Sequence, residues 1–180
     1  MRTIKTRHFT GTTDNTVTKR ELDNRKVARR AAAEGMVLLK NEGILPLKEG
    51  TKIALYGVGA SRTIKGGTGS GDVNERETVS IYQGMKNAGY EVTTESWLDS
   101  YMKIYNQARE DWKAEILKKA EAIDSPNAFF DAYSTTPFFM PCGDGIDVET
   151  AKTDGADTAV FVIARIAGEN KDRFDKEGDY

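Results

Sequence analysis

Few side chains in this sequence can move a proton, and the best placed of them is Glu169. It stands in Ala167-Gly-Glu-Asn-Lys-Asp-Arg173, just past the apolar run Asp157-Thr-Ala-Val-Phe-Val-Ile-Ala-Arg165. A carboxylate at a strand end, flanked by glycine, reaches into a cleft and becomes a proton donor if burial raises its pKa. The bland alternative is a solvated surface Glu. Asp172 and Arg173 suit a charge-assisted pair that holds the same loop. A second constellation is the glycine-rich stretch Gly57-Val-Gly-Ala-Ser-Arg-Thr-Ile-Lys-Gly-Gly-Thr-Gly-Ser-Gly-Asp72, which follows a strand and precedes a helix. Ligands of open α/β sheets bind at such places, outside the carboxyl ends of the strands. A nucleotide loop fits poorly. Arg62 stands where a dinucleotide fingerprint wants glycine, and Lys65-Gly-Gly-Thr-Gly-Ser-Gly71 lacks the terminal Gly-Lys-Ser/Thr of a P-loop. Two readings remain: a tight connection needing positive φ, or a loop whose backbone at Gly69 approaches a polar ligand while Ser70 supplies a hydroxyl. Asp72 and Asn74 are expected as helix caps, with Glu75 and Glu77 at capping-box spacing.

The remaining candidates are weaker. Phe129, Phe130, Tyr133, Phe138 and Phe139 cluster in one loop; they either pin it to the sheet or to another domain, or offer stacking faces to sugar rings. Cys142 has no histidine near it in sequence and reads as a buried or incidental thiol. The only histidine, His8, lies in a polar N-terminal segment.

Composition narrows the chemistry further. The chain has 180 residues, 38% hydrophobic and 30% charged, with one Cys and one His. One domain, or one and a fraction, is expected at this length. One thiol and one imidazole exclude most Ser/His/Asp, Cys/His and multi-thiolate zinc sites within the chain. Catalysis must therefore rest on carboxylates, hydroxyls, Lys, Arg or backbone amides. Lys and Arg number 26 against 28 Asp and Glu, a balance that argues against nucleic-acid binding. No apolar run approaches the roughly 18 residues of a membrane span. No apolar stretch follows the basic residues at the start, so no secretory signal is read and a cytoplasmic location is expected.

The elements follow from periodicity. Residues 1–22 are expected to be an N-terminal arm and residues 23–180 an α/β domain. From Asp23, Val27, Ala28, Ala31, Ala32, Met36 and Leu39 keep helical steps, with Gly43 as the left-handed cap. Lys52–Val58 reads as a buried strand, Glu75–Ala88 as a helix, Tyr90–Thr94 as a strand and Asp99–Ile123 as a long helix. Residues 124–145 read as a loop and 147–155 as a short helix. Asp157–Arg165 is the strongest strand, apolar enough to suggest burial on both faces. Alternating helices and strands predict a layered α/β/α sandwich with a mainly parallel sheet. The last βα unit reads as unfinished.

Three segments carry a family resemblance. Val27 to Leu47 resembles the opening of the α/β sandwich domain of glycoside hydrolase family 3, Lys65 to Val73 its glycine-rich loop, and Val160 to Arg173 its Ser-Gly-Glu-Gly-x-Asp-Arg segment. The similarity covers roughly residues 25–95 and 155–180 and is nearest to bacterial β-glucosidases. It implies part of a retaining enzyme that hydrolyses terminal β-linked glucosyl residues of glucosides or short oligosaccharides, and it implies no metal or organic cofactor. In that family a TIM-barrel domain carries the nucleophilic Asp and the sandwich domain the general acid/base. By motif, Glu169 is the acid/base, Ser70 beside Gly69 contacts the sugar, and Asp172 and Arg173 brace the loop. Ala167 and Asn170 depart from the usual Ser and Gly; Asn tolerates a left-handed turn better than most residues. The order of segments resembles the subset with swapped domains, which places the barrel after Tyr180. A non-catalytic α/β module holding a nucleotide or another small ligand on the glycine loop is the alternative, and a homo-oligomer is compatible with either.

Overall fold

The computed structural model describes residues 15–67, 69–73, 76–147, 155–169 and 172–175. The chain divides after Pro46 into two compact units. In the first, helix α1 spans Lys19–Gly35. It starts earlier than the Asp23 expected from periodicity because Thr18 and Glu21 form a capping box: the Glu21 N–H donates to the Thr18 hydroxyl, and the Thr18 N–H donates to the Glu21 carboxylate at 2.7 Å. It also ends earlier, with Met36 as its extended cap residue. Gly43, at φ +96°, is not that helix's cap. It sits in a turn closed by the Asn41 side-chain carbonyl, which accepts from the Gly43 and Leu45 N–H groups.

The second unit is built on three parallel strands, β1 (Lys52–Tyr56), β2 (Glu91–Val92) and β3 (Thr158–Phe161), in the order β2-β1-β3. This is the expected α/β arrangement. Ile53, Ala54 and Leu55 of the central strand are all buried, as expected for a parallel strand flanked on both sides. Val58–Ser61 forms the one-turn helix α2, Ile81–Asn87 helix α3, Glu95–Glu121 helix α4 and Ala128–Thr135 helix α5. Trp97, Leu98, Tyr101 and Tyr105 of α4 pack with Ile53, Leu55 and Val92 into one core. Glu95, in the first turn of α4, accepts from the Lys86 ammonium at 2.8 Å and the Tyr82 hydroxyl at 2.6 Å on α3. Those two donors hold its carboxyl below the usual value.

One side chain completes the sheet. Strand β2 is too short to reach Leu55, because the chain turns into α4 after Thr94. The buried Thr94 hydroxyl takes the place of the missing strand: it accepts from the Leu55 N–H at 2.8 Å and donates to the Leu55 carbonyl at 2.6 Å. Both backbone groups of the central strand are thereby satisfied in a dry core.

Several expected elements differ. The helix expected over 75–88 begins only at Ile81, where the Ser80 hydroxyl caps it by accepting from the Gln83 N–H. Asp72 is therefore not a helix cap; it lies in a turn where its N–H donates to the Gly69 carbonyl. Asn74, Glu75, His8 and most of the helix expected over 147–155 lie outside the described residues. The segment 124–145 contains α5, whose Tyr133 meets Trp112 of α4 edge-on. Cys142 is exposed rather than buried. Strand β3 is not buried on both faces. Val160 and Val162 turn toward the core, whereas Phe161 and Ile163 are 69% and 71% exposed. The reason is cover: nothing among the described residues packs over the face of β3 that carries Phe161 and Ile163.

Thr94→Val keeps the volume but leaves two buried backbone groups unpaired. It is expected to cost about 1–3 kcal/mol in urea unfolding, with Thr94→Ser close to wild type. The Tyr101 hydroxyl, in the same core, has no hydrogen-bond partner among the described residues. Tyr101→Phe is therefore expected to leave stability unchanged or raise it by up to about 1 kcal/mol. A clear loss in the same unfolding assay would show that the hydroxyl is satisfied.

Candidate functional site

The loops leaving β1 and β3 run side by side because glycine lets the backbones touch. At Gly57, φ is +94°, and a Cβ would lie 2.3 Å from the Val162 carbonyl oxygen. At Gly59 a Cβ would lie 2.7 Å from the Val162 side chain, and the Gly59 N–H donates to the Val162 carbonyl. The contact continues into the loops. A Cβ on Gly67 would meet the Ala167 carbonyl at 2.6 Å, and one on Gly69 would come within 3.0 Å of Glu169. Gly67, Gly69 and Ser70 are thus laid against Ala167 to Glu169, past the carboxyl ends of adjacent parallel strands.

This brings Glu169 to Ser70 across 99 positions of sequence. The Ser70 hydroxyl donates to the Glu169 carboxylate at 2.9 Å, and the Ser70 N–H donates to the same oxygen at 3.3 Å. Gly69, at φ +94°, presents that N–H. Both donors favour the ionised carboxylate, the hydroxyl more than the N–H, and hold Glu169 below the ordinary carboxylate range. The side chain is exposed, and what desolvation it has acts upward but is outweighed by the two Ser70 donors. The carboxylate also decides how the loop treats anions: with the Ser70 N–H already on a negative oxygen, a phosphate there would meet like charge.

The other expected site residues fall near this pair. The Asp172 carboxylate accepts from the backbone N–H of Arg173 at 2.8 Å, a local bond in the segment after Glu169. Asn170 lies outside the described residues. Of the aromatic cluster, Phe138 packs edge-on against Tyr105 and Trp112 of α4, while Phe129 and Phe130 are exposed. Two arginines that the sequence did not single out also sit near the glycine loop. Arg62 donates to the Tyr105 hydroxyl at 3.0 Å, and Arg109 stacks on Trp112. The Arg62 position was visible only as a defect in a nucleotide motif, and Arg109 as one charge on a helix face. Among the described residues, no group of three His, Cys, Asp or Glu is placed to hold a metal ion, and no helix is long and apolar enough to cross a membrane.

Comparison with known proteins shows the family. Residues 36–179 match the glycosyl hydrolase family 3 C-terminal domain. The chain belongs to glycosyl hydrolase family 3. Its similarity to individual family members is consistent. It is 32% identical over 152 residues to beta-glucosidase A of Butyrivibrio fibrisolvens, covering 79% of this chain and 15% of that protein. It is 30% identical over 167 residues to a beta-glucosidase of Ruminococcus albus, covering 89% of this chain and 16% of that protein. Among solved structures, beta-glucosidase 3B of Thermotoga neapolitana in complex with glycerol superposes with a TM-score of 0.60 at 34% identity, over 88% of this chain and 20% of that one. The family 3 chain thus spans about a fifth or less of the length of these relatives.

Removing the stronger donor should be visible at Glu169 itself. Ser70→Ala is expected to raise the Glu169 carboxyl pKa toward the ordinary carboxylate value, read from side-chain carbonyl NMR shifts against pH. The lowered value favours the folded state above the unfolded carboxylate pKa, and this contribution disappears as the pH falls through the folded value. The variant should therefore lose part of the wild type's acid-side pH dependence, and an unchanged titration would dissolve the pair.

Proposed function

We propose that this chain supplies the proton-transfer carboxylate and part of the sugar subsite of a retaining β-glucosidase, with Glu169 as general acid/base and Ser70 as the hydroxyl facing the sugar. The observation that carries this reading is the Ser70–Glu169 contact, which sets a titratable group and a hydroxyl side by side where two parallel strands end. The resemblance of Val160 to Arg173 to the family segment and the relatives' names as beta-glucosidases support it. The Thermotoga relative is known in complex with alpha-D-glucose, which supports a glucosyl unit as the group held.

Retaining hydrolysis needs two carboxyl groups roughly 5–5.5 Å apart across the scissile bond. In the first step Glu169 gives its proton to the glycosidic oxygen as the C1–O bond breaks and the second carboxylate bonds to C1. In the second step Glu169 takes a proton from water as the water oxygen bonds to C1 and the nucleophile leaves. We assign the nucleophile to a TIM-barrel domain of the same enzyme. The ionised state of Glu169 suits the second step directly. The first needs it protonated, and two physical changes push that way. A neighbouring carboxylate raises its pKa through like charge. A sugar hydroxyl that draws the Ser70 hydroxyl to itself removes the donor that most lowers it. Ser70 thereby links substrate binding to the protonation of the acid. Asp172 and its bond to the Arg173 backbone restrain the segment that follows Glu169.

Glu169→Ala in the enzyme containing this domain is expected to slow poor-leaving-group glucosides by about 10²–10⁴-fold and activated aryl glucosides far less, because only the former need the proton. Azide is expected to restore rate to that variant and to yield a β-glucosyl azide. Equal losses on both substrates with no azide product would remove Glu169 from this role.

A further inference from the structure

A cavity of about 580 Å³ opens between the glycine loop, the middle of α4, α5 and the segment 137–140. Gly66, Gly71 and Ala167 form part of its wall, whereas Ser70 and Glu169 do not. Its volume lies in the range of roughly 300–1,000 Å³ usual for small-molecule sites. The walls are mainly aromatic and aliphatic, but five bases reach them against two acids, Asp72 and Asp172.

Two of those bases are held in an unusual way. The Arg109 guanidinium lies 4.5 Å from the Trp112 ring centre and 4.9 Å from that of Phe138, and the two rings meet edge-on at 5.6 Å. The Arg62 guanidinium lies 5.5 Å from the Tyr105 ring centre while its Nε donates to that residue's hydroxyl. Among the described residues, neither arginine has a carboxylate partner. Of the other bases, Lys113 is taken by Glu110 at 2.6 Å, and of the acids, Asp172 accepts from the Arg173 backbone. Arg109 is held against rings without spending its N–H groups on a carboxylate, and a guanidinium matches a carboxylate in two parallel hydrogen bonds; Arg62 has its Nε on Tyr105 and keeps its two terminal nitrogens.

We infer that this cavity binds a planar aromatic carboxylate, with its charge on Arg109 and Arg62 and its ring among Tyr133, Phe138 and Phe139. The walls choose between anions. A sugar acid brings several hydroxyls, each needing a partner, and the four hydroxyl side chains that line the cavity, Thr63, Thr78, Tyr105 and Tyr133, are already engaged within the protein. Inorganic phosphate satisfies the arginines but leaves the aromatic walls uncovered. A benzoate- or cinnamate-like ion satisfies both, stacking edge-on or offset against the rings. The inference does not rest on the hydrolase reading, since no part of it uses Glu169 or Ser70.

Isothermal titration calorimetry on the full chain with 4-hydroxycinnamate tests it. One-to-one binding is expected, about tenfold or more tighter than 4-hydroxycinnamyl alcohol, which lacks the charge. The same margin is expected over cyclohexanecarboxylate, which lacks the planar ring, and over glucuronate and phosphate. Arg109→Gln is expected to weaken binding by about 10- to 100-fold, the scale of a lost charge-assisted hydrogen bond. Arg109→Lys is expected to recover little, because an ammonium cannot form the fork. If Arg109→Gln unfolds, Arg62→Gln gives an independent reading, with its thermal midpoint checked against wild type. Absence of binding, equal binding of the uncharged or non-planar analogues, or folded arginine variants that bind as wild type does would each overturn the assignment.

Discussion

The closest constraint in this protein is between two backbones. Nothing larger than hydrogen fits at Gly57, where a side chain would collide with the Val162 carbonyl. Adjacent parallel strands normally stand about 4.7–4.9 Å apart, and their exit loops then diverge. Here the glycines at 57, 59, 67 and 69 keep the loops in contact well past the last ladder bond. The Val162 N–H donates to Tyr56 and its carbonyl accepts from Gly59, so the two exits are tied on both sides. Without that approach, Ser70 and Glu169 would be two unrelated surface residues.

The electrostatics of the pair follow from the same geometry. An exposed Glu is ordinarily unremarkable, but this one accepts two hydrogen bonds from a single residue whose backbone is set by a positive-φ glycine before it. The donors act on the charged form, so the site as it stands favours a base over an acid. That contrasts with the burial-driven rise expected from a strand-end carboxylate. Protonation becomes a matter of what else approaches: charge that raises the pKa, or a ligand that takes the serine hydroxyl. A carboxylate so arranged responds to its surroundings, because the Ser70 hydroxyl that lowers its pKa can be drawn away by another acceptor.

The same loop has a second consequence for packing. Its glycines face a cavity whose other walls come from α4 and α5. The long helix α4 therefore has two roles. Its first half, through Trp97, Tyr101 and Tyr105, builds the core with β1. Its second half turns Arg109, Trp112 and Ile116 toward the cavity. Aromatic rings bridge the two halves, with Phe138 against both Tyr105 and Trp112. Arg109 lies against two of these rings and Arg62 bonds the hydroxyl of a third, and among the described residues neither is in an ion pair.

The layered α/β character, the parallel sheet, the long helix over α4 and the placing of Ser70 and Glu169 in loops at strand ends were all legible in the sequence. Apolar period, glycine position and β-branched runs act locally and survive in one dimension. Other features were not legible, for identifiable reasons. The start of α3 was misread because Asp72 and Asn74 have capping spacings that Ser80 also has, and only packing decides between them. Helix α5 was hidden by prolines and phenylalanines that read as loop. The apolar run of β3 spoke for burial on two faces, yet burial depends on what packs over a strand, and nothing among the described residues covers Phe161 and Ile163. Chain chemistry alone determined which residues could form hydrogen bonds or carry charge: one candidate carboxylate, one loop serine, and glycines where φ must be positive. Only the folded backbone decided that Ser70 and Glu169 touch and that the carboxyl is held low. It likewise brought Arg62 to Tyr105 and Phe138 to Arg109, because each of these depends on distances between segments about thirty to a hundred residues apart, which no local pattern encodes.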